Sequence, residues 1–180
     1  MITLVLGGAR SGKSVFAERL AAQRASRPDT VTYVATARPL ISPDPDFDER
    51  IRAHRARRPS PWHTEDEEDL VPYLAHPSGL SLVDDLGTWL THRFDVTSWD
   101  EPPQQAIDEL IAALTALPST SDIILVSPEV GLSVVPEHRS ARLFRDTCGL
   151  MNSRVAECAH EVFFVAAGLP LKLKPATPLT

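Results

Sequence analysis

The sequence predicts an α/β fold, a mostly parallel central sheet flanked by helices, and two observations carry that reading. Five short β-branched or aliphatic runs recur along the chain, and helical patterns lie between them. Each run is nearly continuous in apolar character, as strands buried on both faces of a parallel sheet must be. Strand and helix alternate, so the helices serve as crossovers that cover the sheet.

In chain order the expected strands are Ile2–Leu6, Val31–Ala35, Leu80–Val83, Ile123–Val126 and Val162–Ala166. The clearest helical patterns are Ser14–Ala25, Phe47–Arg57, Pro103–Leu117 and Ala141–Ala159. Ten of the sixteen prolines gather in 39–45, 59–61, 102–103 and 170–178, between these elements or at their ends, and read as connections. With 180 residues and 43% hydrophobic content, a single domain over residues 1–175 can bury its own core. Residues 176–180 lack any core-forming pattern and read as a frayed tail.

Charge narrows the partners. A net charge of −6 repels nucleic acid and anionic lipid, so any bound anion has to be held by a local site. The opening Met-Ile-Thr-Leu-Val-Leu-Gly-Gly stops at glycine without a basic flank or cleavage site, and reads as a strand instead of a signal peptide. No apolar run approaches the ~18–20 residues of a membrane span. Cys148 and Cys158 lack CxxC spacing and read as reduced thiols, which points to a cytoplasmic protein.

Chemistry enters at Gly7-Gly8-Ala9-Arg10-Ser11-Gly12-Lys13-Ser14, which fits G-x-x-x-x-G-K-[ST] between a strand and a helix. Glycines there let the backbone wrap closely and aim N–H groups at phosphate oxygens, while the helix N-terminus faces the same anion. Lys13 is placed for the β- and γ-phosphates and the Ser14 hydroxyl for Mg2+. The fold expected is therefore that of a P-loop NTPase. A carboxylate for the metal should come from the C-terminal end of another strand, and Leu80–Val83 runs into Asp84-Asp85. Asp84 is the candidate, and capping of the next helix is the alternative use of these aspartates.

Residues Asp46–Arg58 place Arg50, His54 and Arg57 or Arg58 on one helical face. Positive neighbours disfavour imidazolium, so His54 would keep a lone pair for nucleophilic attack on phosphorus. A solvated helix laced by Asp46–Arg50 and Asp48–Arg52 pairs fits the same residues. His63, His76, His92, His138 and His160 show no ligand-like spacing.

Further motifs follow in order: Tyr33-Val34-Ala35-Thr36-Ala37; Arg50-Ile51, His54-Arg55, Arg58-Pro59, Trp62 and Glu65; Asp84 with Thr88-Trp89-Leu90-Thr91. Beyond these come Glu129-Val130-Gly131, Val135-Pro136, Arg139, Phe144-Arg145-Asp146, Gly149, Asn152, Val155-Ala156 and Ala167-Gly168-Leu169-Pro170-Leu171. With the phosphate loop, this set resembles the bifunctional adenosylcobinamide kinase / adenosylcobinamide-phosphate guanylyltransferase family of cobalamin biosynthesis, over nearly the whole chain. The resemblance implies phosphorylation of the aminopropanol hydroxyl of adenosylcobinamide with ATP or GTP. It then implies transfer of GMP from GTP onto that phosphate, giving adenosylcobinamide-GDP and pyrophosphate. The guanylyl-bearing histidine of the family falls on His54. Its nucleotide-contacting positions fall on Gly7–Ser14, Ala35, Thr36, Ala37, Arg55, Ala56, Arg57, Arg58, Glu65 and Asp84, and the family is similar in forming homotrimers.

The chain departs from the family pattern at two positions of interest. It carries Pro128 where Asn usually precedes Glu-Val-Gly, and it reads Asp84-Asp85-Leu86-Gly87 where Asp-Cys-Leu-Thr is usual. Pro128 removes a side-chain amide and a backbone N–H at a strand end. A single-activity enzyme is thus one alternative. A regulatory P-loop switch is another, and would need an N-K-x-D guanine-reading motif that the sequence lacks.

Overall fold

A computed structural model describes residues 1–37, 49 and 61–175. The strands are β1 (Ile2–Gly7), β2 (Val31–Ala35), β3 (His63–Glu65), β4 (Leu80–Asp84), β5 (Asp122–Pro128), β6 (Glu161–Ala166) and β7 (Leu169–Lys174). The helices are α1 (Lys13–Arg24), α2 (Leu70–Tyr73), α3 (Leu86–Val96), α4 (Gln104–Thr115) and α5 (Arg139–Cys158), with a 3-10 turn at Pro28–Thr30. The expected helix over Phe47–Arg57, its His54, and the tail 176–180 lie outside the described residues, apart from Glu49.

The sheet runs β3-β2-β4-β5-β1-β6-β7, parallel throughout except for β7, which pairs antiparallel with β6. The α/β architecture is the one the apolar runs predict. Because side chains alternate across a strand, each central strand feeds two cores. Leu4, Val34, Val83 and Leu125 point to one side with Leu86, Trp89, Phe94, Leu110 and Met151. Val5, Tyr33, Leu82 and Val126 point to the other, against Ala17 and Ala21 of α1. These alanines are fully buried and let α1 lie close on the sheet.

Helix α4 buries Ile107, Leu110 and Leu114, and α5 buries Cys148, Met151, Asn152 and Val155, the stripes that a 3.6-residue period produces. Leu169–Lys174 corrects the sequence reading of a proline-marked connection there. Pro170 sits in an edge strand, where a missing N–H breaks no inner ladder.

Candidate active site

Strand order alone concentrates chemistry at one edge. Gly7, Asp84 and Pro128 end β1, β4 and β5, three parallel neighbours, so whatever follows them gathers at the C-terminal side of the sheet. Out of β1 comes the loop Gly7–Gly12, with Ala9 and Arg10 exposed at its crest.

Two glycines in this loop are required by the protein itself. At Gly7 a Cβ would stand 2.4 Å from Ser11 Oγ and 2.7 Å from the Val165 carbonyl, and Gly12 caps α1 with φ 91°. Gly8 has open space around its Cα, so packing within the chain does not demand glycine there. The loop is braced from β6–β7: Gly168 N donates to Ser11 O at 2.8 Å, and its Cα lies 3.1 Å from where a Gly12 side chain would begin. Nothing in the local sequence of the loop announces that brace, although Ala167-Gly168 belongs to the motif set. Ser11 Oγ is buried in the loop without a hydrogen-bond partner.

Lys13 and Ser14 open α1. The Ser14 hydroxyl donates to Asp84 Oδ1 at 3.2 Å, and the other carboxylate oxygen accepts from the Tyr33 hydroxyl at 2.5 Å. Tyr33 is 1% exposed, so this phenol is a fixed prop under Asp84. Nothing in the sequence predicts that role, which depends on β2 lying beside β4. Asp85 takes the other use foreseen for the pair: its Oδ1 accepts from Thr88 N at 2.8 Å and caps α3. Burial, then the charge of Asp84, pushes the Asp85 carboxyl above the ordinary aspartate range.

The other expected contact residues are more scattered. Thr36 is buried, and its hydroxyl donates to Asp85 O and lies 2.6 Å from Thr88 Oγ1, which ties the end of β2 to the start of α3. Ala35 is buried beside it and Ala37 is half-buried. Glu65 ends β3, four strands from β1 in the sheet order and so roughly 19 Å away at ~4.8 Å per strand. Its Oε1 accepts from Glu67 N and Glu68 N at 2.9 and 2.8 Å, and Oε2 makes neither of those bonds. His54, Arg55, Ala56, Arg57 and Arg58 lie outside the described residues.

A glycine-rich strand-to-helix loop, a lysine and serine at the helix start, and an aspartate across from the serine define a nucleotide-binding protein of the P-loop class. Residues 3–173 match the family described as cobinamide kinase / cobinamide phosphate guanyltransferase. The bifunctional adenosylcobalamin biosynthesis protein CobP of Pseudomonas aeruginosa is 42% identical over 182 residues, covering 97% of this chain and 98% of that one. The bifunctional adenosylcobalamin biosynthesis protein CobU of Escherichia coli is 36% identical, and that of Salmonella typhimurium 35%, each over 190 residues, 97% of this chain and the whole of the relative. The chain belongs to the cobinamide kinase / cobinamide phosphate guanyltransferase family.

Proposed function

We propose that this chain carries out both steps: it phosphorylates adenosylcobinamide and then guanylylates the product. The observation that carries the reading is the Ser14–Asp84 pair at the mouth of the phosphate loop, in a chain aligned end to end with bifunctional relatives. In the first step the aminopropanol oxygen attacks the γ-phosphorus of ATP or GTP. The bond from that phosphorus to the β,γ-bridging oxygen breaks, the hydroxyl proton is released, and the nucleoside diphosphate departs. Lys13 and the loop N–H groups hold the phosphates as charge shifts toward the leaving group. The unpartnered Ser11 hydroxyl is a buried donor that a bound anion would satisfy.

Ser14 and Asp84 offer two hard oxygen donors 3.2 Å apart, a set suited to Mg2+, which keeps most of its shell for water and phosphate. Mg2+ bound there would neutralise charge on the β- and γ-phosphates. Tyr33 keeps Asp84 turned toward Ser14.

In the second step His54 attacks the α-phosphorus of GTP, the bond to the α,β-bridging oxygen breaks, and pyrophosphate leaves. A phosphate oxygen of the corrinoid then displaces the imidazole and takes GMP. Arg55, Arg57 and Arg58 are assigned to phosphate neutralisation, and Ala35–Ala37 and Glu65 to the nucleotide on the family resemblance.

Homotrimeric assembly belongs to the same reading. Leu169, Leu171 and Leu173 form an exposed row on edge strand β7, a surface that subunit contact would remove from water. The unpaired thiols Cys148 and Cys158 suit a reducing cytoplasm. Among the described residues no helix is long and apolar enough to cross a membrane.

GTP labelled at either the α- or the γ-phosphate, and ATP labelled at the γ-phosphate, each with and without adenosylcobinamide, separate the steps. Both reactions require γ-label on the corrinoid phosphate and α-label first on protein, then on corrinoid. Label that never reaches adenosylcobinamide would defeat the reading.

A further inference from the structure

Beside the phosphate loop, on the face of the sheet away from α1, lies a cavity of about 610 Å3 between α3, α5 and the segment that follows β5. Its volume is in the range of small-molecule sites. Val130, Pro136 and Phe144 supply apolar wall, Trp99 an aromatic one, and Thr91 and Arg145 polar groups. One end is tied directly to the nucleotide site: Glu129 N donates to Gly7 O at 3.0 Å, and Val130 is the next residue. The other wall, α3, begins two residues after Asp84.

The aromatic wall is held in an unfavourable backbone conformation. Ser98 and Trp99 are consecutive left-handed residues, with φ 53° and 61°. A bulky non-glycine residue seldom adopts that region, and it persists only where surroundings impose it. Here they do: Trp99 stacks on Phe94 at 4.6 Å, its Nε1 donates to Asp95 Oδ1 at 2.8 Å, and Arg139 donates to the carbonyls of Trp99 and Asp100. The stack and the Nε1 hydrogen bond hold the indole, and the Arg139 bonds hold the backbone at Trp99 and Asp100, on the rim of the cavity. Leu132, Val134 and Val135, in the same segment as the lining residues Val130, Ser133 and Pro136, stand 83%, 91% and 63% exposed and extend the apolar surface as a shelf beside the cavity.

We propose that this cavity and shelf bind the corrinoid acceptor, with its hydroxyl-bearing arm directed from the cavity toward the phosphate loop. The assignment rests on the two-step reading above. An acceptor of this kind is a large apolar macrocycle fringed with polar groups, which suits aromatic and aliphatic walls interspersed with Thr91, Ser133, Ser140 and Arg145. The cavity lies on the β4 and β5 side of the loop, beyond Asp84 and Pro128, the last residues of those strands. Arg145, half-buried and paired with Asp146, keeps further N–H donors for the phosphate that the first step places on the arm.

Two variants test this in the full chain, with adenosylcobinamide as the probe. Ala141→Phe fills the cavity from the exposed side of α5, and Trp99→Ala removes its aromatic wall. Each should raise the KM for adenosylcobinamide at least about tenfold, a change equal to one lost aromatic contact. GTP affinity and GTP-dependent labelling of the protein without corrinoid should stay at the wild-type level. If Trp99→Ala also loses GTP binding, its fold has failed and Ala141→Phe decides. An unchanged KM in Ala141→Phe, with turnover intact, overturns the cavity assignment and leaves the two-step reading standing. Wild-type protein that binds GTP but never modifies adenosylcobinamide overturns both.

Discussion

The pyrrolidine ring of Pro128 occupies the space into which a side chain on Gly87 would grow, with a Cβ there falling 2.5 Å from Pro128 Cγ and 2.8 Å from Cδ. The departures at Pro128 and Gly87 are therefore one feature. Proline at the end of β5 requires glycine in the first turn of α3. The lost N–H is also harmless, because β5 outruns β4, whose last pair is Asp84 with Val126. The ladder to β1 continues through Glu129 N instead. The Pro128 carbonyl stays engaged, accepting from Asn152 Nδ2 at 3.0 Å.

Gly87→Ala should accordingly change sign with its background. Within a helix that substitution ordinarily stabilises by ~1 kcal/mol. Against Pro128 it should instead destabilise, by about 1–3 kcal/mol from overpacking. In a Pro128→Ala background the clash is gone and the stabilising sign should return. Urea midpoints of the four proteins give the coupling, and simple additivity would dismiss the pairing.

Asp84→Asn preserves shape and removes the charge opposite Ser14. Turnover should then need at least tenfold more Mg2+, on the order of the loss when a metal site loses a supporting group. Tyr33→Phe deletes only the hydroxyl that holds Asp84, and should shift the magnesium requirement in the same direction by a smaller factor. A magnesium titration identical to wild type for Asp84→Asn removes that residue from the metal site.

How much of this was legible in the sequence follows from how local each signal is. The apolar strands announce themselves because both faces are buried, or half-buried in β6, and the phosphate loop because its motif is contiguous. Helix α3 shows only as the helix that Asp84-Asp85 would cap, because Leu-Gly-Thr-Trp-Leu-Thr carries glycine, β-branched and aromatic residues of modest helix propensity. Strand β3, His-Thr-Glu, is too short and exposed to leave an apolar run. Strand β7 did leave one, since Leu169, Leu171 and Leu173 alternate, but Pro170 within it and Pro175 after it masked it. Contacts between distant segments, such as Tyr33 with Asp84 or Pro128 with Gly87, became readable only once strand order was known.

The edge opposite the site bears on acid stability. Glu161 accepts from Lys172 Nζ at 2.5 Å and pairs with Arg24, which also donates to Thr3 Oγ1. The Lys172 hydrogen bond, with the charge of Arg24 behind it, holds the Glu161 carboxyl below the ordinary glutamate range. A depressed folded-state value means the stabilisation is present above the unfolded value, near 4.3, and is lost as pH falls through the folded one. Glu161→Gln should cost ~1 kcal/mol at pH 7, and the gap from wild type should close on acidification below about pH 4. A gap that is constant across that range would assign the loss to packing alone.

The most demanding test of the two-step reading is a covalent guanylyl adduct on His54. Direct attack of a corrinoid phosphate on GTP would bring two anions together, whereas a neutral imidazole approaches the α-phosphorus without that repulsion. Histidine ordinarily titrates near 6.5, and cationic neighbours disfavour imidazolium, so Arg50, Arg55, Arg57 and Arg58 in the flanking sequence would favour the free base at pH 7. The same guanidiniums can stabilise charge on the α-phosphate and on departing pyrophosphate. Intact-mass measurement after incubation with GTP and Mg2+ should show one added GMP, labile to acid and stable to base. The second step should follow ping-pong kinetics. Lys13→Ala should lose both the adduct and the kinase step, because neither can proceed without a held triphosphate. His54→Ala should lose the adduct and keep measurable phosphorylation of adenosylcobinamide, since phosphoryl transfer at the loop does not use the imidazole. An adduct of equal yield in His54→Ala, or one mapped by peptide sequencing to another residue, would place the nucleophile elsewhere.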